Sequence, residues 1–431
     1  MGSRYQSVGW QRIVTLAALT VVLILQLSSA RAAIYYVSPQ GSDSNSGTST
    51  SAAFLTIQQA ANRIRPGDTV YVLDGTYAAF QISRSGSLGN NITFQAYPGS
   101  HPIVTKTGST WSAISLNPST NPSYIVIDGF NIIGNAQSIT VDQAQSAPDY
   151  NNTTNGNCID GGSKSHHITI RNNNISYCPG GGIVLGGDYI YIYKNIIHHN
   201  SFWSPLGTSG VTVAGMDSDW STGTKIFLYD NILYNNQNFI CNKFQTTPCR
   251  ITDGEGIIVD SNKAYGYHGR VLIDNNIAYN NGGPGIEVFQ SQHVDVVNNT
   301  TFKNNISAAE PAPFQAHTYG GEIAISSAND VNVLNNIMYG SAGLPVIYPA
   351  MVTSTTNLNW NYNLLFGGTE TKGLGTRDLL ADPLFRSADT LDFHLQDSSP
   401  AKKSGTSTLA PRDDFDGVSR PKRGVSRGAY Q

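Results

Sequence analysis

Short runs in which apolar and polar residues alternate recur along this chain, and each is tied to an asparagine followed by an apolar residue or threonine. The pair stands at Asn131-Ile132, Asn174-Ile175, Asn195-Ile196, Asn231-Ile232, Asn276-Ile277, Asn299-Thr300, Asn336-Ile337 and Asn363-Leu364, at spacings of 43, 21, 36, 45, 23, 37 and 27 residues. A period of two predicts strands, for example residues 168–170 before Asn174 and 182–185 after it. Strands this short cannot stand alone, but stacked in parallel each buries its inward residues against the next coil. The shortest spacings read as bare coils and the longer ones as coils carrying insertions. Asparagines repeated at one corner can hydrogen-bond up and down the stack, satisfying turn groups that would otherwise be buried without partners. They are therefore read as structural, and a sequon such as Asn152-Thr153-Thr154 says little about glycosylation.

The strands that follow the asparagine turns align as residues 182–185, 210–213, 256–260, 285–289 and 322–326. Alternation sends Ile257, Val259, Ile286, Val288, Ile323 and Ile325 inward, and Thr212, Ile258, Asp260, Glu287, Phe289, Glu322 and Ser326 outward. Asp260 with Glu287, and Glu287 with Glu322, become diagonal neighbours on adjacent coils, about 8 Å apart at Cα. Insertions at 200–208, 216–223, 237–254, 261–269 and 306–320 flank the same strand. Loops gathered on one face of a repeat protein wall a binding groove. Their aromatics Phe202, Trp203, Trp220, Phe239, Tyr265, Tyr267, Phe314 and Tyr319, together with Phe289, supply rings of the kind that stack on sugars.

Composition narrows the classes. Charged residues make up 13% of the 431, against about 25% in an ordinary soluble domain. With 26 basic and 29 acidic residues and no basic stripe, nucleic-acid binding is excluded, and the aromatic content excludes disorder. Glutamate is absent from the first 254 residues and occurs only at Glu255, Glu287, Glu310, Glu322 and Glu370. Asp253, Glu255, Asp260, Asp274, Glu287 and Asp295 fall within 43 residues, with Lys263, His268 and Arg270 on the same stretch. Asp274 and Asp295 are expected on the opposite turn side. The first 32 residues read as a signal peptide: Arg4 and Arg12, an apolar run over 13–27, then Ala30-Arg31-Ala32. Cleavage would take the net charge from −3 to −6 by removing three arginines. No stable membrane span follows, so a secreted or periplasmic protein is expected. Cys158 with Cys178, and Cys241 with Cys249, are expected as two local disulfides.

The stretch Tyr35-Tyr36-Val37-Ser38-Pro39-Gln40-Gly41-Ser42-Asp43, with Phe54 to Ala60, Pro66-Gly67-Asp68-Thr69-Val70-Tyr71-Val72 and Gly75-Thr76-Tyr77, resembles the opening of secreted right-handed parallel β-helix proteins. That group includes pectate-lyase-like and chondroitinase-B-like polysaccharide lyases and several glycoside hydrolases. Asp382-Pro383-Leu384-Phe385, Phe393-His394-Leu395, Asp414-Phe415-Asp416-Gly417 and Arg420-Pro421 are similar to its closing segment. Arg427-Gly428-Ala429-Tyr430-Gln431 departs from the acidic ending expected there. The resemblance implies an all-β, right-handed parallel β-helix as one domain over 33–431. A cap is expected over about 33–80, with Thr56 starting a short helix over 57–65, and a closing segment over about 365–431. It also implies action on a polysaccharide by a monomer.

Two chemistries compete. A lyase on a uronate polymer needs a cation at the carboxylate and a base for the neighbouring proton. Asp253, Glu255, Asp260 and Glu287 are the candidate Ca²⁺ ligands, since calcium takes hard oxygen donors. Lys263 is the candidate base, with Arg270 or His268 as alternates; no motif matches a particular lyase family residue by residue. A glycoside hydrolase needs only two carboxyls, Asp260 with Glu287 or Glu287 with Glu322. A non-catalytic glycan-binding stalk is the third class. Substrate contacts are expected from Trp203, Trp220, Tyr265, Tyr267 and Phe289. His166-His167 and His198-His199 are expected on opposite strand faces, which would keep either pair from chelating a metal through both rings.

Overall fold

The computed structural model describes residues 32–106, 110–217, 219–243, 251–309, 320–347, 354–369 and 375–431. Each turn of the chain lays one strand in each of three sheets. One coil contributes His166–Arg171, Asn174–Ser176 and Ile183–Leu185, and the next Asp188–Tyr193, Ile196–His198 and Val211–Ala214. Among the described residues these sheets hold 11, 11 and 8 strands, and successive coils pair in parallel. This is the right-handed parallel β-helix that the alternation and resemblance imply.

The inward positions form columns. In the first sheet Ile168, Ile190, Ile226, Val271, Val294 and Val331 stand in register and are fully buried. In the third, Ile183, Val211, Ile257, Ile286 and Ile323 do the same, as the sequence predicts for the last three. The helix Ile57–Arg63 closes the first coil, with Thr56 Oγ1 accepting the Gln59 N–H at 3.1 Å, and stops two residues earlier than expected. Cys158 and Cys178 form the expected disulfide, with Cα atoms 5.4 Å apart. Cys249, Glu310, Phe314, Tyr319, Glu370 and the expected signal segment before Ala32 lie outside the described residues. Among the described residues no helix is long and apolar enough to cross a membrane.

Two asparagine ladders, not one, hold the corners. The first runs through Asn173, Asn195, Asn231, Asn276, Asn299, Asn336 and Asn363, each amide donating to the next carbonyl oxygen at 3.0 Å. The rung in the earlier coil is therefore Asn173 rather than Asn174, which opens the next strand and is exposed. The second ladder, five residues later, runs through Asn200, Asn236, Asn281 and Asn304. Arg427, in the ending that departs from the expected pattern, is buried and donates to the backbone oxygens of Asn363, Arg377 and Ser404, closing the stack.

The histidine expectation is overturned. His167 and His199 adopt left-handed φ of 56° and 55°, which breaks strand alternation and swings each ring toward its neighbour. The Nδ1 atoms of His166 and His167, and of His198 and His199, lie 2.8 Å apart in both pairs.

Replacing Asn276 by Ala removes the acceptor of the Asn231 N–H, one of three acceptors of the Asn231 amide, and the donor to the oxygens of Leu228 and Asp274. The expected cost is about 2–5 kcal/mol in denaturant unfolding. Asn174→Ala, which removes an exposed side chain, should cost less than about 0.5 kcal/mol. Equal losses from the two variants would contradict the ladder assignment.

Candidate functional site

Glu287 occupies the second position of the strand Ile286–Phe289, in register with Ile258 and Ala324, so its side chain leaves the outer face of the third sheet. Asp260 pairs with Phe289 two positions further along, which makes Asp260 and Glu287 the expected diagonal pair. The chain entering the strand Ile257–Asp260 brings Asp253 and Glu255 onto the same face. Asp253 is itself left-handed (φ 70°), and Gly207 approaches it so closely that a Cβ there would stand 2.6 Å from Asp253 Oδ2. The result is a cavity of about 250 Å³ lined by Asp253, Glu255, Asp260, Glu287, Leu206 and Phe289, among others. The four acids singled out from sequence thus meet in one space.

Glu255 and Glu287 are buried and Asp260 is partly open. Burial first, and then the neighbouring carboxyls, push Asp253, Glu255 and Glu287 above their ordinary range. Burial also raises Asp260, opposed by the Ser261 hydroxyl, which donates to its Oδ1 at 2.7 Å. Ser209 Oγ donates to Glu255 Oε2, and Thr252 Oγ1 to Asp253 Oδ2. Among the described residues no lysine or arginine charge acts on any of the four. Carboxyls crowded without a counter-cation share protons, so the group includes at least one neutral acid near pH 7.

The donors are of the type calcium prefers. Among the described residues no three His, Cys, Asp or Glu side chains converge as ligands for one ion.

The other candidates scatter. Lys263 is exposed and does not line the cavity. Arg270 opens a strand of the first sheet, Arg270–Asp274, and pairs with Asp295 at 2.6 Å and Asp330 at 2.5 Å, so it is removed from the site. His268 stacks on Trp220 with ring centroids 4.4 Å apart. Glu322 turns toward the corner, where it accepts the Asn304 N–H at 2.9 Å and amide at 2.7 Å; it ends the second ladder and is not a partner of Glu287. Tyr267 is fully buried and donates to Asp188 at 2.7 Å, so it cannot meet substrate. Trp203 is partly buried beneath loops, donating to Ala136 O at 3.0 Å. Phe289 lines the cavity, and Tyr265 and Trp220 are the exposed aromatics of the insertions.

Sequence reasoning missed a buried cation. Lys225 is 2% exposed and bridges Asp188 at 2.9 Å and Asp219 at 2.5 Å, below a cavity of about 340 Å³ that His166 and His167 line. His167 is sandwiched between Tyr124 and Tyr189, at 4.3 and 4.4 Å. A lone lysine at the start of a strand gives no signal of this. Its charge is matched by its acids, unlike the carboxyls of the acidic cavity.

Comparison with known proteins bears on the fold. Residues 35–203 match a family model described as Pel9A-like, right handed beta helix region. Over 76 residues, 17% of this chain and 18% of the other, the sequence is 38% identical to pectate lyase PEL9 of Emericella nidulans. Over 70 residues, 16% and 15% of the two chains, it is 37% identical to the YwoF protein of Bacillus subtilis. The chain thus covers less than a fifth of the length of either relative. The crystal structure of pectate lyase Pel9A superposes with a TM-score of 0.52 at 14% identity, covering 92% of this chain and 96% of that one, a likeness of fold alone.

Raised carboxyls give stability a direction with pH. Asp274 and Glu322 are pushed up to about 8, mainly by burial, against about 4 in an unfolded chain. A group whose folded pKa is raised contributes stability that is fully present below the unfolded value and lost as pH climbs through the folded one. The melting temperature should therefore fall from about pH 5 to about pH 9, and Glu287→Gln should make that fall shallower. Thermal scans across this interval check it; a melting temperature that rises with pH contradicts the raised carboxyls.

Proposed function

We propose that this protein, a right-handed parallel β-helix of the pectate-lyase-like fold, is a secreted carbohydrate-active enzyme that cleaves a polysaccharide by acid–base hydrolysis in the acidic cavity. The observation that carries the reading is the diagonal pair of Glu287, buried among other acids, and Asp260, half open and hydrogen-bonded by Ser261. Environments that push two carboxyls apart assign their roles. Glu287 keeps its proton and delivers it to the glycosidic oxygen as the bond breaks. Asp260, also raised by burial but less buried and eased by the Ser261 hydroxyl, is the carboxyl that activates water or attacks the sugar carbon. Burial first, and then the charge of Asp253, favour the proton on Glu287, while the hydrogen bond from Glu255, itself held by Ser209, opposes them.

The lyase reading is supported by the match of residues 35–203 to a Pel9A-like region and by the 38% identity over 76 residues to a pectate lyase. None of its expected bases lines the cavity, since Lys263 is exposed, Arg270 is paired on another sheet and His268 is stacked on Trp220.

Glu287→Gln should lower turnover about 10²–10⁴-fold, the usual contribution of a general acid, without lowering the melting temperature. Asp260→Asn should do the same. Release of reducing ends from a polysaccharide panel, in the presence of chelator, measures it. Unsaturated, ultraviolet-absorbing products that vanish with chelator would instead establish calcium-assisted β-elimination. Retained turnover in Glu287→Gln would remove the site, and a panel without turnover would favour the non-catalytic class.

A further inference from the structure

The first sheet carries a second cavity, of about 510 Å³, between its outer face and residues 411–417 of the closing segment. Its floor is aromatic. Tyr191 stacks on Phe227 at 4.9 Å and 7°, and Tyr229 on Tyr193, which lies outside the lining, at 4.7 Å and 8°. The second of these rows continues in register into Asp274, which replaces an aromatic with a carboxyl. The roof is pinned: Asn275 donates to Asp413 O at 2.8 Å, and Arg420 to Asn275 Oδ1 at 2.9 Å. Asp414 within it accepts three backbone N–H groups, from Asp416, Val418 and Gln431.

Two acids of the lining keep an unfilled oxygen, although the Arg420 charge acts on both and the Asn275 side chain hydrogen-bonds Asp230. Asp274 is 6% exposed, lines the cavity, and receives no hydrogen bond on its side chain from any described residue. Asp230, also in the lining, has a buried Oδ1 with no partner. A buried acceptor left unmade costs about 1–3 kcal/mol, so such oxygens are unfavourable unless something donates to them.

We propose that this cavity is a saccharide-binding site for an uncharged sugar unit, whose ring lies on Tyr191 and Phe227 while a hydroxyl donates to Asp274. The volume lies inside the range of about 300–1,000 Å³ usual for small-ligand sites. An acidic sugar is disfavoured, because five aspartates and one lysine line the space. A metal ion is disfavoured because the Arg420 guanidinium already acts on Asp230 and Asp274, and no described acids converge on a single point. The site lies on a different sheet from the acidic cavity and does not depend on that cavity being catalytic.

The test uses the full chain carrying Glu287→Gln, with chelator present. Calorimetric titration with cellohexaose, xylohexaose and mannohexaose is compared with hexagalacturonate. At least one neutral hexasaccharide should bind, hexagalacturonate should bind more weakly, and Asp274→Asn or Phe227→Ala should weaken the neutral ligand about tenfold or more. Hydrogen exchange needs no variant in this cavity, and the bound sugar should protect residues 411–417 and the strand Thr224–Tyr229. Absence of binding by all three neutral sugars overturns the proposal, as does protection confined to residues 251–261 and 286–289. Binding of calcium chloride alone, lost in Asp274→Asn, overturns it in favour of a metal site.

Discussion

Every coil of this molecule must bury the polar backbone of its corners, and the asparagine ladders meet that constraint. Each rung donates its amide to the carbonyl oxygen of the next and receives the N–H and amide of the one before, so the chain of bonds has a direction. A directed ladder leaves donors unfilled at its last rung. Both ladders solve this with an acid side chain: Asp378 accepts the Asn363 N–H at 2.8 Å, and Glu322 oxygens accept both donors of Asn304. The described third sheet ends on the strand Ile323–Ser326, directly after Glu322, while the first two sheets continue. Glu322 is thus explained by the stack without invoking chemistry.

The same constraint decides what could be read from the sequence. Columns such as Ile257, Ile286 and Ile323 were legible because strand alternation is local and these strands are regular. The diagonal of Asp260 and Glu287 followed from the same parity and stands in the structure. Legibility fails where a left-handed residue resets the parity. Asn172, His167, His199 and Asn280 all have positive φ, and each lies at or beside a corner. An off-by-one at Asn174, and two histidine pairs whose rings meet instead of diverging, follow from this. The second ladder was visible as an asparagine five residues after each of four rungs, at Asn200, Asn236, Asn281 and Asn304. Arg270 was misplaced for another reason: closeness in sequence to Lys263 hides the fact that a new sheet begins between them.

Charge is scarce here, and most buried acids are accounted for. Asp128 holds Arg171, Asp188 holds Lys225 and the Tyr267 hydroxyl, and Asp295 holds Arg270. Asp68 accepts the N–H groups of Ala33 and Arg65. In each case the ionised form meets a donor, so the acid serves the fold and requires no ligand. That accounting turns a list of carboxyls into two classes, since an acid that holds up a turn differs from one that repels its neighbours.

Glu255 with Glu287 over the third sheet, and Asp230 with Asp274 over the first, belong to the second class. Both groups stand in cavities, and in both the largest cause of the raised pKa is burial rather than a chosen partner. A solenoid tolerates this because its stability is spread over many nearly independent interfaces between coils, so a local penalty of a few kcal/mol need not unfold the whole. The regular coil supplies that tolerance, and the insertions and closing segment supply the cavity walls. Perturbed groups inside a cavity mark function only with some probability, because ion-pair networks also perturb them. Here the hydrogen-bonded and ion-paired acids have been set aside, and what remains is acid raised mainly by burial at the two cavities. A fold that stacks mostly on neutral asparagine has no structural need for such acid, so the two cavities are the places where its surface departs from stacking alone.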